Sequence, residues 1–246
     1  ILFKIYLCYL KKTNNYSSPF GEIKKLGFDN IEYDEIDENI NFSKLDDEII
    51  LEKISKDLGI EKSSPRNKAD IYINNIAYSV KYMSAAPPSI INHTTRKGFI
   101  RIAKKLNLDI ADLDKIINEY WDLRISNQIT EDCGNNNSLS PFKDHKETLR
   151  SYLEYFCFIG TGSADSKHPA NSLIKFKKFN DVNTWKVYSK SETIDEIWDG
   201  LFFCMRDISK GGVKDYENDP EKSLLEPWTE YSTNKYRGAL SVRYKA

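Results

Sequence analysis

Asp70 and Lys81 stand eleven positions apart, near the two ends of the stretch Lys68-Ala-Asp-Ile-Tyr-Ile-Asn-Asn-Ile-Ala-Tyr-Ser-Val-Lys81. β-Branched and aromatic residues fill both arms, and the tandem Asn74-Asn75 tolerates the positive φ of a tight turn, so the stretch reads as a β-hairpin. Side chains alternate faces along a strand. Ser79 and Lys81 therefore point the same way, and Asp70 on the opposing arm can be set against them. A carboxylate and a lysine held side by side on rigid strands suit metal-assisted phosphodiester cleavage. The carboxylate binds a hard cation, and the lysine polarises the attacking water or steadies the charge developing on the phosphorane. The plain alternative is an edge-strand aspartate and a solvated lysine.

This arrangement resembles the PD-(D/E)xK nuclease superfamily, and type II restriction endonucleases in particular. That family sets an Asp at one strand and a (D/E)-x-K triplet on the next. Here Asp70 matches the first carboxylate, Ser79-Val80-Lys81 occupies the triplet, and Lys81 matches its lysine. Ser79 departs from the pattern, standing where an acid is usual, and Ala69 replaces the Pro. Family members with Ser at the acidic position recruit a carboxylate from elsewhere. The resemblance implies catalytic roles for Asp70, Ser79 and Lys81. Asp70 would ligate Mg2+, Ser79 would line the site, and Lys81 would assist the nucleophilic water. It further implies sequence-specific cutting of double-stranded DNA by a cytoplasmic homodimer, paired with a modifying methyltransferase. Two other readings stay open at Ser79: a structure-specific repair nuclease of the same fold, and a DNA-binding protein whose hairpin has lost its metal.

Candidates for the missing acid lie upstream. Glu48 and Glu52 are one helical turn apart and can share a face, which would complete a metal set of Asp70, Glu52 and Glu48. A solvated acidic face paired with Lys53 and Lys56 is the alternative. Downstream, Asn92, His93, Thr95, Arg96 and Lys97 cluster hydrogen-bonding and cationic side chains behind Pro87-Pro88. Asn pairs well with adenine, Arg with guanine, and Thr, His and Lys hold phosphates, so this segment is the expected DNA reader. A helix N-terminal turn with a surface ion pair at Arg96 is its competitor. Arg237 and Arg243, in an alternating C-terminal strand, are further candidates for groove or phosphate contact, against an edge strand guarded by charge.

The elements that must position these residues follow from periodicity and caps. Leu45, Ile49, Ile50, Ile54 and Leu58 recur at helical spacing, predicting a helix over about 44–58 that stops at Gly59. Pro87-Pro88 predicts an extended loop. Helices are predicted at about 99–106, at 110–125 behind an Asp109 cap, and at 146–158, with a polar loop over 126–145. The period then changes to two in SLIKFKKF and NTWKVYS. A short helix near 192–198, a strand at 201–206, a polar loop over 209–227 and a last strand GALSVRYK complete the chain. The expected class is α/β, a central mixed β-sheet flanked by helices with a restriction-endonuclease-like core. One domain is expected over 1–246, with the catalytic hairpin near 68–82 and DNA-recognition additions in 83–145 and 205–246.

Bulk properties constrain the class. A chain of 246 residues, 40% apolar and 30% charged, is expected to bury a substantial core rather than remain disordered. Net charge is only −1, but it is unevenly spread. Residues 28–62 hold twelve acids against four lysines, and residues 63–105 hold eight cations against Asp70 alone. A basic block around the hairpin is what a phosphate backbone would meet. The four cysteines show no metal-ligand or CxxC spacing and read as reduced, packing thiols. ILFKIYLCYL is too short and too interrupted for a membrane span or signal peptide, and it reads as a buried strand or helix. Gly160-Thr-Gly-Ser163 lacks the ending of a nucleotide loop, the three histidines are too scattered for zinc, and no nucleophile elbow occurs.

Overall fold

The opening LFKIYLCYL is apolar on nearly every side, the pattern of a helix sunk in a core rather than lying on a surface. It forms α1 (Leu2–Lys12) in the computed structural model, which describes residues 1–245. The chain continues through β1 (Leu26–Phe28), β2 (Ile31–Glu32), α2 (Glu48–Asp57), β3 (Ile71–Ile73), β4 (Ile76–Tyr82), β5 (Ser89–Thr95), α3 (Arg96–Leu106) and α4 (Ile110–Ile125). Next come β6 (Cys133–Gly134), α5 (Lys146–Glu154), β7 (Ser172–Phe176), β8 (Lys186–Ser189), α6 (Lys190–Ile197) and β9 (Leu201–Asp207). Then α7 (Lys222–Leu225), β10 (Glu230–Ser232) and β11 (Lys235–Tyr244) close the chain. The class is mixed α/β, as expected, with the strands gathered in two sheets flanked by helices. No helix among the described residues is long and apolar enough to cross a membrane.

Contacts divide the chain, expected as one domain, into two compact units. The first comprises Ile1–Ala86 with Ser166–Lys190, the second Pro87–Asp165 with Ser191–Ala246. In the first unit the sheet runs β2-β1-β3-β4-β7-β8. Every pairing in it is antiparallel except β4 with β7, which are parallel. Ile71, Ile73, Tyr78, Ile174 and Phe176 turn one face of this sheet onto Phe3, Leu7 and Leu10 of α1, with Phe3 stacked on Phe176 at 4.7 Å. The helix expected over 44–58 is shorter. Asp47 accepts the N–H groups of Ile49 and Ile50 and so caps α2, while Asn41 caps a separate 3-10 turn at Phe42–Lys44. Gly59 ends the helix at φ +64°, as its position suggested.

In the second unit β11 is the central strand. β9 pairs along one edge, while β10 and β5 share the other, β10 at Lys235–Arg237 and β5 at Ala239–Arg243. The segment after Pro87-Pro88, expected as a loop, is therefore a paired strand: the prolines break the chain's direction, and Ser89–Thr95 re-enters a sheet. Asp109 caps α4 by accepting the Ala111 N–H, as predicted. Phe99 of α3 meets Tyr152, Phe156 and Trp228 with ring centroids 5.5, 5.3 and 5.0 Å away. The helix predicted over 146–158 holds as α5 continued by a π-helical turn at Tyr155–Ile159.

Candidate active site

β3 and β4 form the hairpin read from the sequence, in the register Ile71↔Tyr78, Tyr72↔Ala77 and Ile73↔Ile76. Asn74 and Asn75 turn it at φ +51° and +68°, the paired left-handed conformations of a two-residue hairpin loop. Tyr78 and Val80 pack into the α1 core, so Ser79 and Lys81 face the other way. Ser79 is buried and Lys81 half-buried. Asp70 sits where the ladder ends: its N–H donates to Tyr78 O at 2.8 Å, and its Oδ2 accepts the Val80 N–H at 2.8 Å. That second bond fixes the carboxylate beside the Ser79-Val80-Lys81 backbone, and among the described residues Oδ1 has no hydrogen bond. No ion pair joins Asp70 to Lys81, and among the described residues Lys81 has no hydrogen-bond or ion-pair partner.

Lys81 belongs to a row of cations. It lies beside Lys175 in the parallel β4·β7 pairing, and Lys175 lies opposite Lys186 in β8. The Lys175 ammonium also sits 5.0 Å from the ring centre of Tyr188. Like charges side by side across a sheet destabilise it by a few tenths of a kcal/mol to about 1 kcal/mol per pair. Three lysines thus line one face of this sheet, and Lys175 among them has partners of its own.

A second lysine, Lys4, interrupts the apolar opening of the chain and is not among the site residues expected from the sequence. It is only 7% exposed. Its Nζ donates to Glu61 O at 2.9 Å and to Ser63 Oγ at 3.3 Å, and Ser63 in turn donates to Asp70 O at 3.2 Å. Burial lowers the Lys4 pKa, and the negative charge of Asp70, with that of Glu61, opposes the shift. Lys4 is thus a buried cation that feels the Asp70 carboxylate and braces the loop before it. Its one visible signal was a lone charge inside an otherwise apolar helix.

The expected three-carboxylate set is not assembled. Glu48 and Glu52 are exposed on α2 and line a groove with Ile1, Ser55, Lys56 and Glu61, and Asp70 is not part of it. Among the described residues no group of three His, Cys, Asp or Glu side chains stands where it could hold one metal ion. What remains is Asp70 Oδ1, a single hard oxygen. This donor chemistry fits Mg2+ held by one carboxylate with waters and substrate phosphate oxygens, and it does not fit a metal caged wholly by protein.

The expected DNA-reading residues have scattered fates. Arg96 is committed elsewhere. Its Nε and Nη2 bind the two oxygens of Asp114 at 2.8 and 2.7 Å, and Nη1 donates to Leu224 O, so it is not free to reach a base. Asp114 holds the Arg96 pKa above its ordinary value. Lys97 pairs with Glu221, and Thr95 is buried at the start of α3. Arg237 binds Glu131 at 2.7 Å and Thr233 at 3.1 Å. Asn92 is exposed, and His93 and Arg243 come together in a cluster described below.

No family model and no curated protein matches the chain. Among solved structures, restriction endonuclease MspI in complex with its cognate DNA matches at 12% sequence identity and a TM-score of 0.34, over 79% of this chain and 77% of that one. A likeness of that degree carries no weight for fold or function.

Proposed function

We propose that the chain is a Mg2+-dependent nuclease of the PD-(D/E)xK type, cutting phosphodiester bonds in double-stranded DNA with the sequence specificity of a type II restriction enzyme. One observation carries the reading. A carboxylate fixed by the Val80 N–H and an uncompensated lysine stand on the two arms of one hairpin, beside a row of lysines. Asp70 would hold Mg2+ through Oδ1, and the ion when bound would supply a water activated as nucleophile and a counter-charge to the phosphate. Lys81 would donate to that water or to a non-bridging phosphate oxygen, where charge grows as the reaction proceeds. Lys175 and Lys186 would draw the backbone to the sheet face. The buried Ser79 would contribute a neutral hydroxyl where the family has an acid. Cutting both strands of a two-fold site calls for two copies, so a homodimer is part of the proposal.

Ser79 and the missing second carboxylate favour one rival, a DNA-binding protein without cleavage. Incubating the protein with plasmid DNA in Mg2+, and in parallel with EDTA, separates them. We expect discrete fragments that require Mg2+. Smearing or nicking would point to a structure-specific nuclease, and intact plasmid with a mobility shift would sink the cleavage reading.

A further inference from the structure

The pairing of β5 with β11 shifts register at two places, between Leu240 and Val242 and again between Val242 and Arg243, and the first holds His93. Thr94 faces Leu240 and Ile91 faces Val242, so Asn92 and His93 together oppose the single residue Ser241. This is a β-bulge, and His93 within it has φ +41°, a left-handed conformation that a non-glycine residue rarely adopts in a strand. Bulges re-aim side chains, and strain of this sort is kept where the surroundings impose it. Here the imidazole Nε2 is buried and has no hydrogen-bond partner.

The charged groups that act on this imidazole are cations. Burial lowers the His93 pKa first, and Lys210, Arg206 and Arg243 then lower it further. Lys210 lies in the 3-10 turn Ile208–Gly211. That turn is packed on β5 so closely that a Cβ on Gly211 would come within 3.1 Å of His93 O and 2.6 Å of Thr95 Cγ2. Arg243 is on β11 beside the bulge, and Arg206 is on β9 opposite Ala239. Arg206 is held by Glu131 at 2.6 Å and Asp132 at 2.9 Å, although its Nε is buried without a partner. Lys210 and Arg243 make no ion pair or hydrogen bond among the described residues. Two uncompensated cations, a third with an unsatisfied N–H and an imidazole with an unpartnered nitrogen thus lie on β5, β9, β11 and the turn packed against β5. An acceptor-rich anion suits such a set of donors, whereas a cation does not.

We propose that His93, Lys210 and Arg243, backed by Arg206, form a subsite for one phosphate group of a nucleic-acid backbone. The assignment of the phosphate to a backbone rests on the nuclease reading, while the anion site rests on its own geometry. Bound phosphate would accept from Lys210 and Arg243 and from a protonated Nε2 of His93, turning the imidazole from an isolated neutral group into a paired one.

Two measurements on the full chain test this, using wild type and the double variant Lys210→Gln/Arg243→Gln, whose altered side chains have no partners to lose. In the first, NMR follows the imidazole titration of His93, assigned against His145 and His168, with and without inorganic phosphate. Phosphate should raise the wild-type midpoint by about one pH unit or more and leave the double variant unmoved. In the second, binding of a short DNA duplex is measured across salt concentrations without Mg2+. The slope of log affinity on log salt should be shallower by about 1 in the double variant, the signature of one lost phosphate contact. A His93 midpoint indifferent to phosphate overturns the subsite. A midpoint that responds while the duplex slope stays unchanged assigns the site to free phosphate and overturns the backbone assignment. The two readings fail separately: uncut plasmid with the slope change intact removes cleavage alone, and cut plasmid with an unchanged slope removes the backbone assignment alone.

Discussion

Lys81 and Arg96 show how differently two cations of one basic block can be used. Lys81 is half-buried and has no hydrogen-bond or ion-pair partner among the described residues, whereas Arg96 is locked to Asp114 through two hydrogen bonds of 2.7 and 2.8 Å. A lysine serving charge that develops in the transition state contributes little to ground-state docking. Lys81→Met is therefore expected to reduce plasmid cleavage by about 10^2- to 10^3-fold while duplex affinity and thermal midpoint stay close to wild type. Cleavage at a near wild-type rate would remove Lys81 from the chemistry. At this scale the sequence was legible where the partner is local. Asp70 and Lys81 fall on one hairpin, as their spacing suggests, although no ion pair joins them. The partner of Arg96 is not legible, because Asp114 lies eighteen residues away on another helix, and neither is the setting of Lys4, because burial cannot be seen in a single charged residue.

The hairpin owes its geometry to its turn, and Asn74 does more there than accept a left-handed φ. Its Oδ1 accepts the N–H groups of Lys24 and Lys25 at 2.8 and 3.2 Å, and its Nδ2 donates to Glu22 O at 2.8 Å. The side chain thus staples the segment before β1 to the tip of the hairpin that carries Asp70 and Lys81. Asn74→Ala loses these bonds and places a Cβ without local hydrogen bonding at φ +51°. A loss of about 1–3 kcal/mol in urea unfolding, with an unchanged slope, is expected. A loss below about 0.3 kcal/mol would show that the staple is not used. Elements of strong period or clear capping were read well: the turn at Asn74-Asn75, α4 behind Asp109, and β9 and β11. β5 was missed because Pro87-Pro88 suggests irregular backbone, while the residues beyond it become a strand only by pairing with β11, about 150 positions later. The bulge at His93 is a product of that same distant pairing.

At the scale of the molecule, charge couples the second unit to pH. Asp165, bound by Lys105, Tyr155 and Arg101, and Asp195, bound by Arg150 and Lys146, are both held down to about 2 from the usual 3.8. A carboxylate whose folded pKa is depressed stabilises the fold only while ionised. The contribution is complete above about pH 4 and disappears as pH falls from there towards 2. Resistance to urea should accordingly decline across that window, and more shallowly for Asp165→Asn/Asp195→Asn. Both side chains are well exposed, so added salt should flatten the difference. A double variant with the wild-type acid profile would exclude these pairs as the cause. The division into two units was not legible at all, since no linker marks it: each unit is built from two separate stretches of chain. That interleaving has a consequence for a nascent chain. β4 gains its parallel neighbour β7 only when residues 172–176 have been made, about ninety positions after β4 itself. At ordinary rates of translation, the strand bearing Lys81 would wait roughly 5–20 s with one edge unpaired. Such an edge is a template for a stranger's strand. Slow synthesis or crowded polysomes would therefore turn this fold towards aggregation before any question of its activity arises.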